Sequence, residues 1–411
     1  MRFPLKLTAN LTKYIAGKRL RGVDKFPLVM MLEPLHACNL TCTGCGRIRE
    51  YKSTINEMLT VEQCLAAMED CGAPVVSICG GEPTIYPQLG RLVREILDRG
   101  RHIYLCTNGM FIRKRLHEFK PSSSFFWNVH LDGLERTHDL CVEKEGVFRE
   151  AIEGIKAAKA AGFLVCSNTT IYKETDLAEI ADLYAYLHEL GVDGYMLSPA
   201  YSYAAVQTRD IFMSRDEVRD KFRLACGLLE KYNLMTSPIY LEYLRGEREL
   251  MCTAWGNPTY NPRGWKGPCY LMTDAHHGTF KEFIENTPWE KYGRGRDPRC
   301  EDCMVHVGFE PSAVLGAHRK LGDNWKMLTW QLNGKMGGAG TSHKSASNGR
   351  SNSLGKGNSS IPGNGDSFVS AGGDGHANGG VSSAGNGRGA TAMPAEDSAE
   401  LVRPDGSLRV L

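Results

Sequence analysis

From Pro27 to about Asn233 the chain alternates short apolar runs with longer segments in which apolar residues recur every three or four positions. The runs Leu28 to Leu32, Val75 to Cys79, His102 to Cys106, Phe126 to Leu131, Phe163 to Thr170 and Gly194 to Ser198 predict six strands. Each is followed by a helical pattern with legible ends. Thr60-Val-Glu-Gln63 and Ser214-Arg-Asp-Glu217 read as capping boxes, and Gly72, Gly100, Gly162 and Gly191 stand where helices stop. Strands alternating with helices of this length predict parallel pairing through right-handed crossovers. Six units fall short of a closed eight-unit barrel, so the expected fold is α/β, a partial (β/α)6 barrel with its site at the strands' C-terminal ends.

Period two sorts the strand faces. Asn128, His130 and Asp132 share one side of the fourth run, opposite Trp127, Val129 and Leu131, which suit a helix layer. Cys166, Asn168 and Thr170 share a face of the fifth, and His102, Tyr104 and Cys106 a face of the third. These polar sets are expected to face the barrel cavity. His130 reads equally as a hydrogen-bonded core histidine, since buried polar groups are usually paired.

The pattern changes at both ends. Residues 1–26 are basic, with Lys6, Lys13, Lys18 and Arg19 among them and Asp24 the single acid. Leu7, Leu11, Tyr14 and Ile15 have helical spacing. A basic amphipathic helix of this kind either packs on the barrel or lies on a membrane surface. Residues 27–233 form the barrel. Residues 234–332 hold prolines, glycines and tryptophans at a density that predicts a loop-rich extension. Residues 333–411 are dominated by Gly, Ser, Asn and Ala, too poor in apolar surface to offset the entropy of ordering, and read as a disordered tail.

Composition narrows the classes. With 42% apolar residues and a net charge of +2 the chain can build a substantial core and has no general affinity for nucleic acid. No run of 18 apolar residues or signal-peptide core occurs, so a cytoplasmic protein is expected, at most peripheral to the inner face of a membrane. Its 14 cysteines lack the density of a secreted disulfide scaffold and fit reduced thiols kept for metal or chemistry.

Three of them decide the chemistry. Cys38-Asn-Leu-Thr-Cys42-Thr-Gly-Cys45 places three thiols within eight residues, directly after the first strand. A cubane [4Fe-4S] cluster normally takes four thiolates, so three leave one iron open to a substrate. A closed zinc site would want a fourth ligand nearby, and none is in this loop. The spacing resembles that of radical S-adenosylmethionine (SAM) enzymes. With Cys45-Gly-Arg-Ile-Arg-Glu-Tyr51, Gly80-Gly-Glu-Pro83, Cys106-Thr-Asn-Gly109 and Cys300-Glu-Asp-Cys-Met-Val-His306, residues 1–330 resemble the adenosylhopane synthases of hopanoid biosynthesis. One departure is Gly44, where many superfamily members carry an aromatic residue, so an adenine contact there is expected from backbone alone.

The resemblance implies that Cys38, Cys42 and Cys45 hold the cluster and that the loop of Gly80, Gly81 and Glu82 binds the SAM amino group. Asp132 and Asn168 would meet its ribose and carboxylate. It further implies that SAM is consumed, its 5'-deoxyadenosyl radical adding to the terminal alkene of diploptene, with electrons from a flavodoxin or ferredoxin. The product radical then needs a hydrogen atom, and Cys106, at the cavity mouth, is better placed to donate it than Cys79 or Cys166, unless it is simply a packing residue, as unpaired cysteines often are. Cys252, Cys269, Cys300 and Cys303, with His306, are candidates for a second cluster or zinc, or for buried apolar thiols. The alternatives are a hydrogen-abstracting radical SAM enzyme of the peptide-maturase type, and a non-catalytic iron–sulfur protein, against which Gly80-Gly-Glu82 counts.

Overall fold

The computed structural model describes residues 2–317 and 320–334; the segment read as a tail lies, from residue 335 on, outside the described residues. Six parallel strands form in the expected order: β1 (Val29–Leu32), β2 (Val75–Ile78), β3 (His102–Thr107), β4 (Phe125–His130), β5 (Leu164–Ile171) and β6 (Gly194–Pro199). Crossovers include the helices Val61–Cys71, Leu89–Asp98, Val147–Ala160 and Leu177–Glu189, and Arg215–Leu229 follows β6. Both predicted capping boxes form, and Gly72 ends its helix in the left-handed conformation that suits a residue without a side chain. The outward strand residues Ile103, Leu105, Trp127, Val129 and Val165 are fully buried beneath the helices in one continuous core.

The extension carries more regular structure than its composition suggests. β7 (Thr259–Asn261) pairs in parallel with the free edge of β1, and β8 (Gly264–Cys269) and β9 (Met272–His277) continue the sheet antiparallel. The order becomes β6-β5-β4-β3-β2-β1-β7-β8-β9. An unpaired edge strand is a row of open donors and acceptors, and these three strands cover it. Trp265 anchors them, fully buried against Tyr260, Phe280 and Phe283.

The N-terminal helix, Leu5–Leu20, packs against the barrel. Leu7 sits in a cluster with Val75, Tyr104, Phe126, Cys166 and Met235, and so closes the barrel floor. Asn10 Nδ2 meets His102 Nε2 at 3.1 Å. Burying Leu7 alone contributes about 1.5–3 kcal/mol.

Candidate active site

The loop after β1 carries Cys38, Cys42 and Cys45. Its turn is held by Cys45 N–H on the Cys42 carbonyl at 3.0 Å, while Arg49 Nη1 donates to the carbonyls of Cys42 at 2.9 Å and Cys45 at 2.6 Å. Burial first raises all three thiols; the Glu82 carboxylate and then Cys45 raise Cys38 further, and Cys45 and Cys38 raise Cys42. Three thiols crowded in a half-buried loop are unfavourable as thiolates by themselves, and a cationic iron cluster is the partner that offsets this. The donor set fits a cluster with one iron left open.

Gly80 and Gly81 lie against this loop. Gly80 has φ of 116°, and Gly81 and Glu82 donate their N–H groups to the carbonyls of Leu35 at 3.2 Å and Ala37 at 2.8 Å. What the absent side chains admit is therefore the chain's own backbone, immediately before Cys38. Glu82 is 2% exposed, and Thr84 N–H, the Thr84 hydroxyl and the Thr107 hydroxyl donate to its Oε1 while Asn108 N–H donates to Oε2. Burial raises its carboxyl despite these donors. The expected ammonium acceptor is thus mainly a hub tying the ends of β2 and β3 together, with only Oε2 having capacity for an incoming donor.

At the ends of β4 and β5, His130, Asp132 and Asn168 come together. His130 is in register with Asn168. Asp132 Oδ2 lies 2.9 Å from His130 Nε2, and its Oδ1 accepts from Thr170 N–H at 2.8 Å. Burial works against the imidazolium, but the Asp132 carboxylate outweighs it and leaves His130 above its ordinary value. With its side chain 28% exposed, His130 is an oriented, accessible imidazole rather than the sealed core residue its lone occurrence allowed.

Cys106 faces the barrel interior, as period two requires. Its Sγ lies 3.3 Å from Ser77 Oγ and 3.3 Å from Asn128 Nδ2, and Asn128 Oδ1 accepts from Cys166 Sγ at 3.4 Å. One polar layer thus crosses β2, β3, β4 and β5 above the apolar floor. Burial raises the Cys106 thiol and keeps its hydrogen in place. Cys79 and Cys166 are buried, whereas Cys106 is half-buried.

Two tyrosines were not anticipated. A Cβ built on Gly44 would lie 2.5 Å from Tyr172 Cε1, and one on Gly46 would lie 2.5 Å from Tyr203 Cδ1. Both glycines flanking Cys45 are therefore roofed by a phenol ring from elsewhere in the chain. The space left by Gly44 is taken by Tyr172, not left to backbone. Extending the β5 alternation of Cys166, Asn168 and Thr170 by one step reaches Tyr172, which was the available signal. A buried ionic group was also missed: Arg47 pairs with Glu33 and donates to the Tyr270 carbonyl at 2.8 Å, and Lys266, fully buried, lies 3.2 Å from Glu50.

Cys252, Cys269, Cys300 and Cys303 line one cavity of about 1280 Å³, and burial first, then the charges of neighbouring thiols in the group, raises Cys252, Cys300 and Cys303. Gly308 allows Cys252 to approach, since a Cβ there would overlap its sulfur. His306 is instead tied through Nδ1 to Ser198 Oγ at 3.0 Å. Among the described residues no three Cys, His, Asp or Glu side chains close on one point as a single ion requires. A cubane is broader, with each thiolate on a separate iron, so this set fits a second cluster better than zinc.

Residues 32–187, from β1 through most of the barrel, match the sequence pattern of the radical SAM superfamily. The match covers the part of the barrel that carries the Cys38–Cys45 loop and the Gly80–Glu82 loop. Residues 195–327 match a domain of unknown function (DUF3463). The chain is 31% identical over 166 residues to the Fe-coproporphyrin III synthase of Methanosarcina barkeri, covering 39% of this chain and 41% of that protein. It is 28% identical over 173 residues to the AdoMet-dependent heme synthase of the same organism, covering 41% and 49%. The chain thus spans less than half the length of these two relatives. Among solved structures, Streptococcus suis SuiB shares the fold with a TM-score of 0.56 at 16% identity, covering 75% of this chain and 78% of that one. SuiB bound to S-adenosylmethionine matches with a TM-score of 0.50 at 18% identity over 62% of each chain. A [4Fe-4S] cluster and SAM are the cofactors that go with this family match.

Proposed function

We propose that the enzyme transfers the 5'-deoxyadenosyl group of SAM to the terminal alkene of diploptene, giving adenosylhopane. When bound, the cluster on Cys38, Cys42 and Cys45 supplies the one electron that cleaves SAM to methionine and the deoxyadenosyl radical. The chain's own residues do the rest. The loop Gly80 to Glu82 takes the SAM amino group, and Asp132, paired with His130, and Asn168 meet its ribose and carboxylate. Addition to the CH2 end of the alkene forms a C–C bond and leaves the unpaired electron on the more substituted carbon. Cys106 gives that carbon its thiol hydrogen, and the resulting thiyl takes one electron from a flavodoxin- or ferredoxin-type reductant and one proton from water.

The observation that carries this reading is the neutral thiol of Cys106 inside the barrel, fixed between Ser77 and Asn128. Hydrogen abstraction followed by oxidation of the substrate radical needs no such donor. Anaerobic incubation of reconstituted protein with SAM, dithionite and diploptene, followed by mass analysis of the lipid fraction, is expected to show the adenosyl adduct. Free 5'-deoxyadenosine as the main nucleoside product would refute it. A hydrogen-abstracting enzyme with an auxiliary cluster is the second reading, favoured by the four thiols around one cavity and by the likeness to SuiB, which has been solved with its precursor peptide SuiA. A hydrocarbon acceptor resides in a bilayer, so the proposal places the enzyme peripherally on a membrane.

A further inference from the structure

The last described helix, Leu321–Asn333, has two unlike faces. Its inner face is bound to the body of the protein: Asp323 pairs with Arg248 at 2.7 Å, Lys326 pairs with Glu242, and Gln331 Nε2 donates to Thr8 Oγ1 at 2.9 Å. Its outer face holds Leu321, Trp325, Leu328 and Leu332, which are 88%, 68%, 49% and 54% exposed. This spacing of four, three and four residues makes one stripe about 16 Å long at the rise of an α-helix. Helix packing explains the inner face and leaves the stripe without a partner among the described residues, an unusual exposure for a protein surface.

The N-terminal helix runs alongside. Arg2 N–H donates to the Gln331 carbonyl at 2.8 Å, Phe3 packs on Trp330 at 5.5 Å, and at the other end Arg19 Nη2 donates to the Leu315 carbonyl at 2.5 Å. Only part of this helix is used to close the barrel floor. Its free side shows Leu5 and Leu20, 69% and 89% exposed, together with exposed Lys6 and Lys13. No Asp or Glu occurs between Leu5 and Leu20, and Lys320 adds an exposed cation at the start of the last helix.

We infer that these two helices form a docking face for a bilayer carrying anionic headgroups, with Trp325 and its neighbouring leucines entering the headgroup–acyl boundary and the lysines meeting the phosphates. Charge complementarity selects this occupant. A second copy would set lysines against lysines. The chain's own residues 341–400, mostly Gly, Ser, Asn and Ala, offer too little apolar surface to cover such a stripe. The cavity of about 1280 Å³ shares Arg19, Leu315 and Lys320 with this face.

The inference builds on peripheral attachment but not on the acceptor's identity. Full-length protein is sedimented with phosphatidylcholine vesicles, with and without phosphatidylglycerol, in the absence of SAM and acceptor, so that the two readings fail separately. Binding is expected only to the anionic vesicles, to weaken with salt, and to fall at least about tenfold in Trp325→Glu/Leu328→Glu and in Lys6→Glu/Lys13→Glu. Brominated phosphatidylglycerol should quench a component of the emission that is missing in Trp325→Phe, a variant that keeps the fold. Equal binding by the Glu variants, no binding by the parent, binding only after residues 341–411 are removed, or a dimer broken by the same substitutions would each overturn it.

Discussion

Replacing Gly81 with Ala adds one methyl group at the point where the Gly80–Glu82 loop meets the Cys38–Cys45 loop. The new Cβ would lie 2.6 Å from the His36 carbonyl oxygen and would overlap the Ala37 carbonyl, both rigid backbone rather than the end of a flexible side chain. Relief requires moving residues 36–37, and with them Cys38. Overpacking of this kind costs about 1–3 kcal/mol. The hydrogen bonds from Gly81 and Glu82 to Leu35 and Ala37 would loosen as well, at about 0.5–1.5 kcal/mol each. The total, roughly 2–6 kcal/mol, is a large part of a stability of about 5–15 kcal/mol. Denaturant unfolding of Gly81→Ala should show that loss, and anaerobic reconstitution should load less iron per chain. Gly227→Ala is the contrast: a Cβ there meets nothing within 4 Å inside the helix Arg215–Leu229, so stability should rise by about 1 kcal/mol. A Gly81→Ala protein as stable and as fully loaded as the parent would refute the claim that backbone contact between the two loops sets the cluster's position.

Cys106→Ala should still consume SAM while adenosylhopane falls or forms as two epimers, and Asn128→Ala should give a milder mixture because the thiol loses one of its two anchors; a single parental epimer from both would send the hydrogen donor elsewhere. Glu82→Gln turns an amide toward the Thr84, Thr107 or Asn108 donors, so it should lower stability by about 1.5–3 kcal/mol and weaken SAM binding, as calorimetry would read. Burial, then the nearby Arg47, lowers Lys266 from 10.5 to about 7. Below pH 7 both folded and unfolded chains carry that proton; between 7 and 10.5 the unfolded chain binds more, so this group makes folding more favourable as pH rises through that window. Lys266→Met should flatten that rise in melting temperature, and an unchanged slope would place its cause in other groups.

The alternation of strand and helix, the helix caps and the inward faces of β3 to β5 were legible because each is set within a few residues, by a period or by a side chain bonding its own neighbourhood. The cysteine triad was legible for the same reason, since three ligands on eight residues need no distant partner. Contacts made across the fold were not. Glu82 looked like a free carboxylate until Thr107 and Asn108, about 25 residues on, were brought to it by the register of β2 and β3. Likewise, Gly44 looked like a missing aromatic until the end of β5 laid Tyr172 over it. The extension looked like loops because its strands are short and rich in Gly and Pro, and they exist as strands only where β1 offers an unpaired edge. The sequence by itself determined which groups are present and which face of its own element each occupies. Which of them share one cavity was decided only by tertiary structure, because loop closure and strand register, not local spacing, bring residues such as Cys252, Cys269, Cys300 and Cys303 together.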